Sequence, residues 1–510
     1  MQSENGQSVS IWMDSADVPS YAPLATSLRT GVAVVGAGLA GLSTAYMLAK
    51  LGFEVAVLDD GPIGGGDTGR TTAQITCILD KGYAETEDLR GEDGARLAAE
   101  SHMAAIATIE RIAQEEDISC DFARLDGYLF LAEGDTRKTL TDELEAASRA
   151  GLDVELLSTG LTVGSGSLGP ALRFPRQAHF HPLKYLAGLA RAAERMGVKI
   201  YCGTQITKVH GGDLPSLETV DGLTISADSI VLATHAPIND VLGYSSRISP
   251  YMTYVVGLSV PKGSLPPFLA FDTEDPYHYV RIQQEAARDV LIVGGEDHKT
   301  GQADDMDVRY IRLETWAREQ FPLAGELLYH WSGQVHNSLD GLAMAGHDLV
   351  SPNVYVITGQ SGIGMTHSTI GAMIVSDQIG GRANAWAELY EPNRVPVRGL
   401  GELVKEGLNV VAQYTELLKG GDVSSEAEIP AGSGAVIGWG PGKVAVYRDP
   451  QGLVHRHSAI CSHLGCVVGW NDSEKTWDCP CHGSRFDAHG QVVNGPAAAN
   501  LAPVKIADSR

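Results

Sequence analysis

The chain has 510 residues, 63 of them acidic against 38 basic, for a formal charge of −25. That length exceeds one ordinary core and sets an expectation of about two to four domains. The acidic balance, without any Lys/Arg run, argues against nucleic acid as a partner and favours solubility or a basic partner. No apolar run is long enough for a transmembrane segment, and residues 1–20 show no basic, apolar or twin-arginine export pattern, so a cytoplasmic protein is expected.

After a polar lead-in at 1–30, residues 31–35 form an apolar strand that runs into Gly36, Ala37, Gly38, Leu39, Ala40 and Gly41 and then an apolar-periodic helix to Lys50. Strand, glycines and helix in that order are the dinucleotide-binding context. Gly36 permits the tight turn, Gly38 lets backbone approach a pyrophosphate, Gly41 allows close helix packing, and the helix N-terminus offers unpaired N–H groups to phosphate. A second strand at 54–58 ends on Asp59 and Asp60, and the first of these carboxylates is placed to accept hydrogen bonds from ribose hydroxyls.

The unit serves FAD and NAD alike. A second glycine-rich segment follows, containing Gly66, Thr68, Gly69, Arg70, Thr71 and Thr72. In this it resembles the flavoproteins of the D-amino-acid oxidase and glycine oxidase family, and that resemblance implies FAD, with the segment running along the pyrophosphate toward the flavin ring. A helical pattern covers 89–116 and a strand 126–132. His179 and His181 precede a helix over 183–196 and are expected at its start or on the surface. By the resemblance, Val209 backs the adenine, and Ala233 and Thr234 form a turn near FAD in which His235 stands where the family has glycine.

Strand-like runs alternate with turns from 248 to 336, and the resemblance makes residues 245–338 the main part of an antiparallel substrate sheet laid over the flavin. Tyr254, His278, Tyr279, Arg281 and His336 are its candidates for the pocket wall and for catalysis, though any one of them singly is more often structural. A strand at 354–358 then leads through Gly359, Gly362, Ile363, Gly364, Met365 and Thr366 into a helix. By resemblance this is the second flavin-binding turn, where N–H groups and the helix dipole face the flavin edge that gains charge on reduction. The flavoprotein unit is expected over 31–396. A connecting helix and linker follow at 397–427, since residues 397–419 keep helical spacing and 420–426 have linker composition.

From Glu428 to residue 510 the reading is a separate all-β module with two cysteine–histidine boxes. Cys461 stands two residues before His463, and Cys479 three before His482. Two thiolates and two imidazoles are the ligand set of a Rieske [2Fe-2S] centre, and also a zinc set. The boxes C-x-H-L-G-C and C-P-C-H-G-S, with Gly495, Pro496 and Ala497 beyond them, resemble the Rieske proteins of cytochrome bc and b6f complexes. That resemblance assigns Cys461, His463, Cys479 and His482 as metal ligands and Cys466 with Cys481 as a disulfide joining the loops. Those proteins carry Tyr where this chain has Phe486, and fewer hydrogen bonds to the cluster sulfurs imply a lower potential. Cys77, Cys120 and Cys202 are isolated and expected to be buried free thiols.

The expected fold is therefore an α/β Rossmann-like FAD-binding unit with an antiparallel substrate sheet, plus a C-terminal Rieske domain. The expected function is an FAD-dependent dehydrogenase of a small amine, amino acid or N-methylated amino acid, its electrons passing singly through the cluster to a protein acceptor. A reductase running the other way uses the same residues. An oxygenase would need a further iron held by two His and a carboxylate, for which no set stands out, and a non-enzymatic redox sensor would show no flavin turnover.

Overall fold

A computed structural model describes residues 6–163, 166–238, 243–394 and 400–504. Expectations falling on 1–5, 395–399 and 505–510, among them the boundary at 396/397, lie outside those residues. The strand Leu28–Val35 sits between Val55–Leu58 and Thr224–His235, all parallel, with Val35 opposite both Leu58 and Leu232. Lys199–Tyr201 extends one side, and Val354–Thr358 joins Thr224–His235 on the other. Val32, Ala33 and Val34, like Val55, Ala56 and Val57, are buried on both faces, the expectation for parallel strands covered by helices. The carboxyl ends of these strands share one edge, where an open α/β sheet presents its ligand crevice.

A second, nine-stranded sheet lies over that edge. Leu327–Ser338, Ile248–Val260, Asp289–Lys299, Tyr279–Gln284 and Leu269–Asp272 run antiparallel in that spatial order. The sheet then continues through Ala123–Phe130, Ala171–His179 and Gln74–Ile75. The expected substrate sheet of 245–338 is thus only part of it. The rest comes from the long excursion between Val55–Leu58 and Lys199–Tyr201, which alternation within 245–338 could not reveal.

Two further segments carry structure that those expectations left open. The lead-in carries a short helix, Ile11–Ser15, capped by the Ser10 hydroxyl on Met13 N–H, with Ile11, Trp12 and Met13 buried. Trp12 Nε1 donates to the Thr71 carbonyl at 2.6 Å, so three apolar side chains clamp the second glycine-rich segment from outside. The linker is packed as well. After the helix Leu400–Gln413, Asp422 N–H donates to the Val436 carbonyl at 2.7 Å, and Gly421 fits against Val436 and Ile437 where a Cβ would clash.

The C-terminal module has a three-stranded sheet, Ser433–Ile437, Val444–Arg448 and Val454–Ser458, and a four-stranded one, Gly469–Asn471, Thr476–Asp478, Arg485–Asp487 and Val492–Asn494. Trp477 and Phe486, cross-strand partners, fill its core.

Candidate functional site: a flavin cavity walled by the cluster module

One long cavity opens at the carboxyl edge of the parallel sheet. Gly36, at φ 109°, forms its floor, and a Cβ there would sit 2.4 Å from the Ala233 carbonyl oxygen. Gly38, Leu39 and Ala40 line it, while Gly41 lies behind, where a Cβ would come within 1.8 Å of the Gly36 oxygen. The Asp59 carboxylate accepts N–H groups of Ala37 and Gly61 and so braces the turn from the cavity edge. Asp60 lines the wall beside it, its carboxyl pushed up by burial. The Thr68 hydroxyl accepts the Leu39 N–H at 3.2 Å, joining the two glycine segments.

The remaining expected FAD residues divide by which way their backbone turns. Gly66, Thr68, Arg70, Thr71 and Thr72 line the cavity, as do Ala233 and Thr234. Gly362, Ile363, Gly364 and Met365 close the far side. Gly69 does not line it: a Cβ there would meet the Gly64 carbonyl and Met13. Gly359 is turned against Met344 and Ser338, and the Thr366 hydroxyl is engaged with His102 Nδ1 and the Thr76 carbonyl. Val209 packs on the strand Ile206–His210 beyond the cavity, and Ile206 at the start of that strand, with Thr204 and Gln205 before it, forms the wall. His235 takes φ 61°, the conformation for which glycine is the default, and its Nε2 donates to the Gln334 carbonyl at 3.1 Å.

Of the five catalytic candidates, only Tyr279 lines the cavity. Side chains alternate across a strand, so Thr253 faces in while Tyr254 faces out, its hydroxyl 2.9 Å from His298 Nε2. His278 stacks on Trp316 at 4.1 Å and holds Asp272 at 2.8 Å. Arg281 is fully buried, donating to the carbonyls of Thr72, Ala73 and Phe180, and burial lowers it to about 9. It stitches the glycine segment to the substrate sheet. His336 is buried against His235, ring centroids 4.2 Å apart, outside the wall. His181 caps the helix Pro182–Arg195, as expected at its start, yet both it and His179 are buried rather than on the surface.

Among the cavity residues that sequence reasoning missed are Gln74, Tyr277 and Asp297. Gln74 is 8% exposed, and both its amide atoms lack a hydrogen-bond partner, a buried polar pair that a bound polar ring would satisfy. Tyr277 lines the wall with its hydroxyl 3.3 Å from Asp80. Asp297 reaches the cavity through an irregularity between Met252 and Tyr254 on one strand and Gly295 to His298 on the next, with Glu296 at φ 58°. Such bulges re-aim side chains, and no sequence signal marks this one.

At the other pole, the Cys461–Cys466 and Cys479–Ser484 loops face each other. Cys466 and Cys481 form a disulfide, and the rings of His463 and His482 meet edge to face at 5.1 Å. Cys461 and Cys479 share a hydrogen bond that lowers the first thiol and raises the second. The Ser484 hydroxyl bonds to Cys461 and accepts the Ala497 N–H at 3.0 Å. His482 Nδ1 is buried without a hydrogen-bond partner. Adjacent thiols and a partnerless imidazole nitrogen fit a bound iron–sulfur cluster. Cys77, Cys120 and Cys202 are buried free thiols, and burial pushes Cys77 up to about 12, far from a nucleophile able to tether flavin.

The two poles touch. Val492, Val493, Asn494, Gly495, Ala497 and Ala498 of the cluster module line the flavin cavity. Gln334 lines it too, and its Nε2 donates to the Gly483 carbonyl, between His482 and Ser484, at 2.8 Å. Asn494 Nδ2 donates to Gln334 Oε1 at 2.6 Å and to Asp67 at 3.3 Å. Glu474 of the cluster module is buried against the flavoprotein, accepting Ser332 Oγ at 2.6 Å and Ser8 N–H at 3.0 Å, with Arg70 Nη1 at 3.5 Å. Burial opposes its charge, yet Arg70 and Arg485 hold it below the usual carboxylate range. Arg70, expected among the cofactor-binding residues, lines the cavity and directs its guanidinium to the domain interface, where it also donates to the Ser332 carbonyl at 2.8 Å.

A family model described as FAD dependent oxidoreductase matches residues 31–378. The chain belongs to this family. A model of the Rieske [2Fe-2S] domain matches residues 421–505, so the FAD-dependent oxidoreductase carries a C-terminal Rieske module, with FAD and a [2Fe-2S] cluster as its cofactors. YhfW of Bacillus subtilis (strain 168), whose name describes it as a Rieske 2Fe-2S iron-sulfur protein, is 32% identical over 97% of this chain and 97% of its own. Gamma-glutamylputrescine oxidoreductase of Escherichia coli (strain K12) is 27% identical over 74% of this chain and 91% of its own. The crystal structure of glycine oxidase from Geobacillus kaustophilus has the same fold, with a TM-score of 0.59 at 19% identity, covering 72% of this chain and 99% of that one. Among the described residues no helix is long and apolar enough to cross a membrane.

Proposed function

We propose that this oxidoreductase is a dehydrogenase of a small amine, amino acid or N-methylated amino acid, and that its electrons leave singly through the Rieske cluster to an external protein acceptor. The observation that carries the reading is Gln334: one side chain lines the flavin cavity and donates to the Gly483 carbonyl inside the second cluster loop. Cluster and flavin sites this close favour transfer within the chain over direct release from the flavin.

The backbone at Gly36, Gly38 and Leu39 would hold the FAD pyrophosphate, with Asp59 and Thr68 fixing the turn, and Gly362 to Met365 would face the flavin ring. Cys461, His463, Cys479 and His482 would hold the cluster. FAD supplies a two-electron acceptor and the cluster a one-electron carrier. The protein's own task is to place the substrate C–H bond and exclude water from it, with Tyr277, Tyr279 and Phe271 as the apolar-faced walls. A general acid–base dyad is not required for that step provided the substrate nitrogen is neutral when it reacts.

An anaerobic screen of amines, amino acids and hydroxy acids tests this. Bleaching of the flavin absorbance by at least one amine is expected. Bleaching by none of them, or by hydroxy acids alone, contradicts the reading.

A further inference from the structure

The wall contributed by the large antiparallel sheet and its loops carries neutral polar groups and a carboxyl group. Thr253, Tyr277, Tyr279 and Gln334 are neutral, and Asp297 is ionisable. Neither Lys nor Arg from this sheet lines the cavity, since Arg281 is spent on backbone carbonyls. One oxygen of Asp297 is buried with no hydrogen-bond partner. Gln74, 8% exposed, brings a second partnerless acceptor to the same cavity. A buried carboxylate with a free acceptor requires a donor or a cation. Aromatic rings beside it favour a cation further.

We propose that Asp297 anchors the cationic nitrogen of the substrate and accepts its proton, so that the substrate class is an alkyl amine without a carboxylate at the reacting end. This rests on reading the cavity as an amine-oxidising site. The proton passes from the substrate ammonium to an Asp297 oxygen, leaving a neutral amine and a neutral carboxylic acid, with no change of oxidation state. A carboxylate beside that nitrogen would meet Asp297 as a like charge, with no cation from this sheet to offset it.

Geometry also sets the titration. Asp297 hydrogen-bonds to Thr253, and the titratable groups that interact with it are Asp80, Tyr277, Tyr279, His278 and Arg309. Desolvation is the largest influence, and the carboxyl is pushed up to about 7. Binding of an alkyl amine, which is protonated in solution near pH 7, should therefore strengthen as pH rises through about 7, where the acid ionises.

The test uses the FAD-loaded full chain and tert-butylamine, which has no hydrogen on the carbon beside nitrogen and so binds without turnover. Its affinity, read from the flavin absorption spectrum, is compared with that of tert-butanol and pivalate. The wild type is expected to hold the amine at least tenfold more tightly than the alcohol, more tightly still above pH 7, and pivalate least. Asp297→Asn, with FAD content unchanged, should lose about tenfold for the amine, flatten the pH profile and keep its affinity for the alcohol. Equal affinity of wild type and variant for the amine, tighter binding of pivalate, or loss of FAD from Asp297→Asn overturns the proposal. The wild-type comparison stands if the variant fails to fold. If no amine bleaches the flavin while tert-butylamine still binds through Asp297, the oxidation reading falls and the cation site remains.

Discussion

Ser484 shows how one hydroxyl braces an expected cluster ligand. It bonds to Cys461 and accepts the Ala497 N–H, so the loop around Gly495 and Pro496 holds it in place. A hydrogen bond to a ligand sulfur favours the reduced cluster, whose charge is more negative. Ser484→Ala should lower the cluster potential by about 60 mV, the one-electron equivalent of a tenfold change in equilibrium, as read by protein-film voltammetry; an unchanged or raised potential would refute the role. That the loops of the serine and the four expected ligands would meet was legible because their spacing is local, within two short boxes. Asp297 was not, because it enters the cavity through a bulge that depends on the register of two strands. Arg281 misled for the opposite reason: its place in a sheet strand pointed to the pocket, while its guanidinium serves backbone carbonyls.

Among the elements, the strand–turn–helix around Gly36 is the most constrained by its sequence. A Cβ at Gly41 would lie 1.8 Å from the Gly36 oxygen, and that atom is backbone, unable to swing aside. Gly41→Ala should force the helix Leu39–Lys50 away from its strand and yield protein largely without FAD, measured as the ratio of flavin to protein absorbance. Full flavin content in that variant would show that the packing tolerates the methyl group. The helices and strands of this unit were visible from periodicity, whereas Gln74–Ile75 and Ala123–Phe130 join the second sheet through pairings that no local pattern announces. At the interface, Arg70 and Glu474 have side chains 0% and 1% exposed. Glu474→Gln leaves the arginine buried without its counter-charge, at a cost of about 3–5 kcal/mol, and should lower the Tm by several degrees; an unaltered Tm would mean that serine and carbonyl partners alone suffice. Because Glu474 is held below the ordinary carboxylate range, its contribution is present above the unfolded pKa of about 4.3. It should be lost as pH falls through the lower folded value, and the glutamine variant should lack that acid limb.

For the whole molecule, two modules were legible in the sequence and their docking was not. Contacts such as Gln334 to Gly483 and Glu474 to Ser8 join residues far apart in the chain, on elements whose own patterns are complete without them. The consequence is that the cluster module forms part of the flavin cavity, so removal of the cluster must be checked for retained FAD before turnover is interpreted. The connecting helix Leu400–Gln413 reinforces the arrangement, with Glu406 on Lys299 at 2.7 Å and Asn409 on Gln302 at 2.9 Å. The central claim, that electrons pass from flavin to cluster within one chain, is tested most directly by mixing the anaerobic protein with a reducing amine and following flavin absorbance and the Rieske electron paramagnetic resonance signal in the same sample. The account predicts that the signal of the reduced cluster appears as the flavin bleaches, at a rate independent of protein concentration, and that FAD-loaded Cys461→Ser bleaches without reducing one-electron acceptors. A cluster that stays oxidised beside a bleached flavin, or a Cys461→Ser variant that still turns over those acceptors, would contradict it.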